Sequence, residues 1–188
     1  MAESIRGKGV ISGIAVGKVM LAGQNLDGYL AAYKPGALAE EQSKAEGAIG
    51  AVTEVLLATI ERLRKEGQAE QSAILEAHRM MVQDPMMAEN IKSKIEACGS
   101  APQGILDAAN EQARMFEQME DEYFAARAVD LRDVGKRLAK YVLGVKEPEI
   151  GSGQVILCGE EIEPSVVAGM PTEQIAGVIL GSGSATSH

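Results

Sequence analysis

The chain has 188 residues, 46% of them apolar and 3% aromatic with no Trp, and a formal charge of −9 from 27 acidic and 18 basic side chains. That is enough apolar material for one sizeable core or two small packed units, and too much for a disordered chain. The acidic balance and the scarcity of rings exclude nucleic acid as the expected partner, since phosphates repel such a surface and bases lack stacking platforms; a basic protein partner is favoured instead.

The two cysteines, Cys98 and Cys158, stand far apart and in no Cys/His cluster, so no metal site is expected. No window reaches 18 consecutive apolar residues, and the first ten residues lack a signal-peptide core. The expectation is a soluble cytoplasmic protein without a membrane span.

In chain order, Ile14, Val16, Val19 and Leu21 around Gly13 and Gly17 predict one or two short strands, and residues 22–34 a connection. Pro35 or Gly36 then opens a helical region. Ala45, Ile49, Val52, Leu56, Ile60 and Leu63 recur at steps of three or four, one apolar stripe of a helix that Gly67 ends. A second helix carries Ile74, Leu75, His78, Met81 and Val82. Asp84 is placed to cap a third helix with Pro85 in its first turn, ending near Cys98-Gly99. Ser100 and Pro102 start a fourth, with Ile105, Leu106, Ala109, Ala113, Phe116 and Met119 on one side, and a fifth runs from about Glu120 to Leu143, before Gly144. Short connections predict antiparallel hairpins packed as a bundle. Strand character returns at Val155–Cys158 and at Ile175–Leu180, with a short helix at Pro164–Ala168 between them. This order predicts neighbouring strands of one sheet. The bundle then reads as an insertion into an α/β unit, with a tandem arrangement as the alternative.

The second strand runs into Gly181-Ser-Gly-Ser-Ala-Thr-Ser-His188. Small residues let a backbone approach an anion, and a helix start after the loop would favour a phosphate. Histidine suits a phosphoryl carrier because its imidazole, with a reference value of about 6.5, is largely a free nucleophile near neutrality. Taken alone, the octapeptide is more often a turn or a tail.

Larger segments carry a resemblance. Thr186-Ser187-His188 after a glycine loop looks like the Gly-Gly-x-Thr-Ser-His signature of phosphoenolpyruvate-utilising enzymes, with Gly183-Ser184 where the family has two glycines. Asp121 to Leu138 (DEYFAARAVDLRDVGKRL) strongly resembles a segment of the Enzyme I family of the bacterial sugar phosphotransferase system. Ala73 to His78 with Met81 and Asp84, Gly9 to Lys18, and Glu163-Pro164-Ser165 resemble three more of its segments, so the likeness covers nearly the whole chain. At the position of a family threonine near the active histidine, this chain has Val167.

The resemblance implies an α/β swivelling phosphohistidine subdomain, residues 1–34 and 145–188 and incomplete here, with an inserted all-α helical-hairpin bundle, residues 35–144, that binds the phosphocarrier HPr. It implies a phosphoenolpyruvate-protein phosphotransferase fragment in which His188 carries phosphate, beside a loop of Gly183, Thr186 and Ser187, and passes it to HPr. It puts Glu70, Ala73, Met81, Met87, Phe116, Phe124 and Arg127 on the HPr-docking face, with His78 packed or interfacial among them. Phosphoenolpyruvate and Mg2+ would bind a C-terminal barrel domain absent from this chain, and the parent enzyme would be a homodimer. A docking module without chemistry, and the Enzyme I-like part of a dihydroxyacetone-kinase or nitrogen-regulatory system, are the competing readings.

Overall fold

The computed structural model describes residues 6–23, 25–119, 121–145, 153–160 and 162–181. Strand β1 (Lys18–Leu21) is followed by helices α1 (Asp27–Ala32), α2 (Leu38–Lys65), α3 (Ala69–Val82), α4 (Pro85–Cys98), α5 (Ala101–Glu117) and α6 (Glu122–Val142). The chain then forms strand β2 (Val155–Gly159), helix α7 (Pro164–Gly169), a single 3-10 turn (Thr172–Gln174) and strand β3 (Ile175–Leu180).

The apolar stripe of α2 buries Ala45, Ala48, Val52, Leu56, Ile60 and Leu63. Gly67 closes the turn after it at φ 74°, a conformation that suits glycine. The Asp84 carboxylate accepts the Met86 N–H at 2.9 Å, with Pro85 in the first turn of α4. Gly99, at φ 70°, ends α4. The first amide of α5 is satisfied from elsewhere: Ala101 N–H donates to Glu41 of α2 at 2.8 Å. Glu41 also accepts from Gly36 N–H and Tyr33 Oη, both at 2.8 Å, and from Lys44 Nζ at 2.6 Å. One buried carboxylate thus ties the entry of α2 to the start of α5.

Helices α4, α5 and α6 pack through small residues. Ala108, Ala109 and Ala113 of α5 and Ala128 and Ala139 of α6 are all buried. At Gly104 a Cβ would lie 2.8 Å from Ile95 N and 3.1 Å from Ile95 Cα, so the backbones of α5 and α4 touch there. Gly104→Ala is expected to destabilise the fold by about 1–3 kcal/mol despite alanine's better helix propensity, because the obstacle is backbone. Urea unfolding checks this; a more stable variant would mean that the two helices are not in contact at this point.

The three strands form a parallel sheet in the order β1-β2-β3, with Lys18 opposite Val155 and a shift in register at Val155/Ile156 between β2 and β3. Since β1 pairs directly with β2, helices α1–α6 lie between two adjacent strands as an insertion. A small core of Val155, Leu157 and Met170 lies under the sheet, joined by Met20, Ile162, Val166 and Ile175. Helix α7 touches both units: Val166 faces the sheet core, while Ala168 is part of the helical core. Val19, Leu21, Val178 and Ile179 are exposed.

The structure differs from the sequence reading in three places. Residues 22–34 contain helix α1, with Leu26 buried and Leu30 packed on the bundle; six residues are too few for a periodic signal. Ile14 and Val16 are exposed and outside any strand, since pairing with β2 begins only near Lys18. Met119 lies beyond the end of α5 and is exposed.

Candidate functional site

The predicted docking residues come from α3, α4, α5 and α6. Phe116 stands near the end of α5 and Phe124 near the start of α6, and the α5–α6 corner stacks their rings, with centroids 5.5 Å apart and planes at 27°. The same hairpin is held by Arg132, which donates from both Nη atoms to the Glu117 carboxylate at 2.6 and 2.9 Å. That guanidinium holds the Glu117 carboxyl below its ordinary range. Glu117 therefore has a structural partner. Arg127 lies three residues after Phe124, on the same helix face. Glu70 and Ala73 are exposed on α3, beside Ile74, which is also partly open. Met81 is half-buried against the core.

Two residues of the expected face lie beneath it. Met87 is 1% exposed, packed in the bundle, while Met80 and Met86 point outward in the same Met-rich corner. His78 is 0% exposed, with its ring between two carboxylates of α6. Its Nε2 lies 3.3 Å from Asp130 Oδ1, and its Nδ1 lies 3.9 Å from Asp133 Oδ2, beyond hydrogen-bond distance. Neither side chain is available for direct contact with a docked protein.

The carboxylates around His78 extend the arrangement in both directions. Arg127 Nη1 donates to Asp130 Oδ2 at 3.4 Å. On the other side, Asp133 accepts the Ser165 N–H at 2.9 Å and the Ser165 hydroxyl at 2.8 Å. Ser165 is the second residue of α7, so Asp133 caps that helix from a neighbouring one. Arg127, Asp130, His78, Asp133 and Ser165 therefore lie in succession from α6 to α7, with a 3.9 Å gap between His78 Nδ1 and Asp133. Asp130, Asp133 and Ser165 had no assigned role in the sequence reading. The signal was present: Arg127, Asp130 and Asp133 recur every three residues on one face of an otherwise apolar-packed helix.

Gly183, Thr186, Ser187 and His188 lie outside the described residues. Strand β3 leads toward them, and Gly181 N–H still bonds to Gly159 O at 2.9 Å. Val167 is partly exposed on α7. Among the described residues, no three His, Cys, Asp or Glu side chains are grouped to hold a metal ion, and no helix is long and apolar enough to cross a membrane.

Residues 6–127 match the family model described as "PEP-utilising enzyme, N-terminal". The chain belongs to this family. Among its curated relatives, the phosphoenolpyruvate-protein phosphotransferase of Staphylococcus carnosus is 33% identical over 151 residues, 79% of this chain and 26% of that protein. The protein of the same name from Priestia megaterium is 31% identical over 191 residues, covering all of this chain and 33% of its own length. The chain thus spans a quarter to a third of these relatives. An Enzyme I structure solved by NMR superposes with a TM-score of 0.73 at 29% identity, covering 90% of this chain and 70% of that one. The N-terminal domain of a nitrogen-branch Enzyme I shares the fold, with a TM-score of 0.66 at 19% identity over 95% of this chain and 74% of that one. The phosphoenolpyruvate-utilising N-terminal fold is therefore mostly helical here, with a small parallel three-stranded sheet.

Proposed function

We propose that this chain is the phosphocarrying and docking part of a phosphoenolpyruvate-protein phosphotransferase, which holds phosphate on His188 and exchanges it with a histidine phosphocarrier of the HPr type. The observation that carries the reading is that relatives bearing that enzyme's name match over the full length of the chain. Residues 35–144 would dock the carrier, and residues 1–34 with 145–188 would present the histidine. In the exchange, a ring nitrogen of His188 uses its lone pair to form a bond to phosphorus, while the phosphorus–nitrogen bond of the donor phosphohistidine breaks. The departing imidazole keeps that electron pair, so the step needs neither oxidant nor added water. Phosphoenolpyruvate, Mg2+ and dimer contacts are assigned to the part of the relatives' length that this chain does not span.

Labelled phospho-HPr tests the exchange, with the chain extended to the length of its relatives' N-terminal domain. Acid-labile, base-stable label on the protein is expected; label that stays on HPr overturns the reading.

The docking half has its own test. A stacked Phe116–Phe124 pair beside Arg127 offers an apolar anchor next to a cation, with Glu70 supplying negative charge toward basic flanks of a partner. Phe124→Ala is expected to weaken HPr binding by about 1–3 kcal/mol, the scale of a buried interface anchor. Glu70→Gln is expected to act on the association rate and its salt dependence. Calorimetry and stopped-flow binding check the pair; normal binding by a folded Phe124→Ala protein would move the docking face elsewhere.

A further inference from the structure

Buried carboxylates are costly unless they are partnered, and a bundle of this size has apolar side chains enough to fill the same space. Asp133 is nonetheless 3% exposed and faces two groups, Ser165 and His78. Its position governs a short element. Helix α7 has six residues, too few to hold its own conformation, and the amide of its second residue has no acceptor within the helix. Asp133 supplies that acceptor and binds the hydroxyl of the same residue. At the other end of α7, Gly169 O accepts from Arg62 Nη2 at 2.7 Å, and between the two ends Ala168 is buried in the helical core. The element that leads into β3, and on toward His188, is thus fastened to the bundle at both ends.

His78 stands behind this cap. Its buried ring fills the space between Asp130 and Asp133, which are three residues apart on one face of α6. Nε2 is within hydrogen-bond reach of Asp130, while Nδ1, 3.9 Å from Asp133, makes no hydrogen bond. Asp130 in turn holds Arg127, a residue of the docking face.

We propose that Asp133 is a positioning residue that sets where α7 and β3, which lead on to His188, stand relative to the docked carrier. The proposal rests on the phosphocarrier reading for its functional half, and on the Asp133–Ser165 geometry for its structural half. Neither residue touches phosphate. Misplacing a reacting group by about 1 Å from a distance can lower a rate by roughly a hundredfold, so a remote cap can matter to transfer.

The test compares wild type with Asp133→Asn and, as a control, His78→Gln. Glutamine keeps a donor toward Asp130, and no hydrogen bond to Asp133 is lost with the ring. Hydrogen exchange at the Ser165 amide reads the cap directly, with the Ile105 amide in α5 as reference. Exchange at Ser165 is expected to quicken at least about tenfold in Asp133→Asn, the scale of losing a charge-assisted bond, while Ile105 is unchanged. His78→Gln is expected to stay closer to wild type. In phosphate exchange with phospho-HPr, kcat is expected to fall about tenfold or more in Asp133→Asn with KM within about twofold, because the docking face is intact. Should Asp133→Asn fail to fold, Ser165→Ala removes only the hydroxyl bond and carries the same comparison. Unchanged Ser165 protection in Asp133→Asn overturns the proposal whatever the partner. Lost protection with kcat and KM both at wild-type values reduces the cap to a structural one and also overturns it. A wild-type protein that takes no phosphate from phospho-HPr defeats the phosphocarrier reading instead, and the exchange measurement still decides whether Asp133 holds α7.

Discussion

His188→Ala is expected to abolish phosphate labelling from phospho-HPr, whereas His78→Asn is expected to retain it. These 188 residues hold two histidines, so a phosphohistidine within them forms on one or the other. His78 is fully buried between two carboxylates, where an attacking nitrogen could not reach phosphorus and a phosphate dianion would face Asp130 and Asp133. His188 follows a strand and a loop of small residues, a setting in which backbone amides can face an anion. Loss of the nucleophile removes the covalent route altogether, so residual label should be at background rather than merely reduced. Intact-mass measurement after incubation, with circular dichroism for folding, decides. Label retained by His188→Ala and lost by His78→Asn would reverse the assignment, and label retained by both would point away from histidine.

Long periodic helices were the most legible part of the chain. The stripe from Ala45 to Leu63 is buried nearly as the spacing predicts, because 28 residues of α2 repeat the pattern over many turns. Local chemistry also marked boundaries well: Asp84-Pro85, Gly67 and Gly144 act through their own backbone and side-chain preferences. The insertion was legible because β-type composition flanks the helical region on both sides, and β1 does pair with β2. Helix α1 was not, since it owes its existence to Leu26 and Leu30 packing on the bundle rather than to any repeat. Motifs put the expected docking residues on α3, α4, α5 and α6, but could not tell which faced outward. Met87 and His78 went inside because of what α6 and the core present to them, a tertiary fact with no local signal. Met80 and Met86, their chain neighbours, took the exposed positions. The Asp133–Ser165 bond joins residues 32 apart, beyond the reach of any periodicity argument.

Glu41→Gln is expected to be the most destabilising polar substitution in the helical part, and to become less so in acid. The Glu41 side chain is 0% exposed, and four donors surround its two oxygens: Lys44 Nζ, the amides of Gly36 and Ala101, and Tyr33 Oη. Burial alone would push its pKa up, but the hydrogen bonds from Lys44, Ala101, Gly36 and Tyr33 outweigh it and hold the carboxyl at about 2, against an ordinary 4.5. A folded pKa below the unfolded one means that the charged form stabilises the fold. The contribution is fully present above the unfolded value and is lost as pH falls through the folded one. A shift of this size corresponds to about 3 kcal/mol at neutral pH. Glutamine offers one acceptor oxygen and an NH2 that would point a donor at other donors, so most of that stabilisation should go. The expected fall in Tm is about 6–12 °C for a chain of this length. Glu76 and Glu117 also have lowered values, so wild-type stability alone cannot isolate Glu41. The difference between wild type and Glu41→Gln does isolate it, and at pH 3 that difference should fall to less than about half its value at pH 7. Urea unfolding at both pH values measures it. A variant within about 1 kcal/mol of wild type at pH 7, or a gap that does not shrink in acid, would mean that the carboxylate is not the charged clamp between α2 and α5.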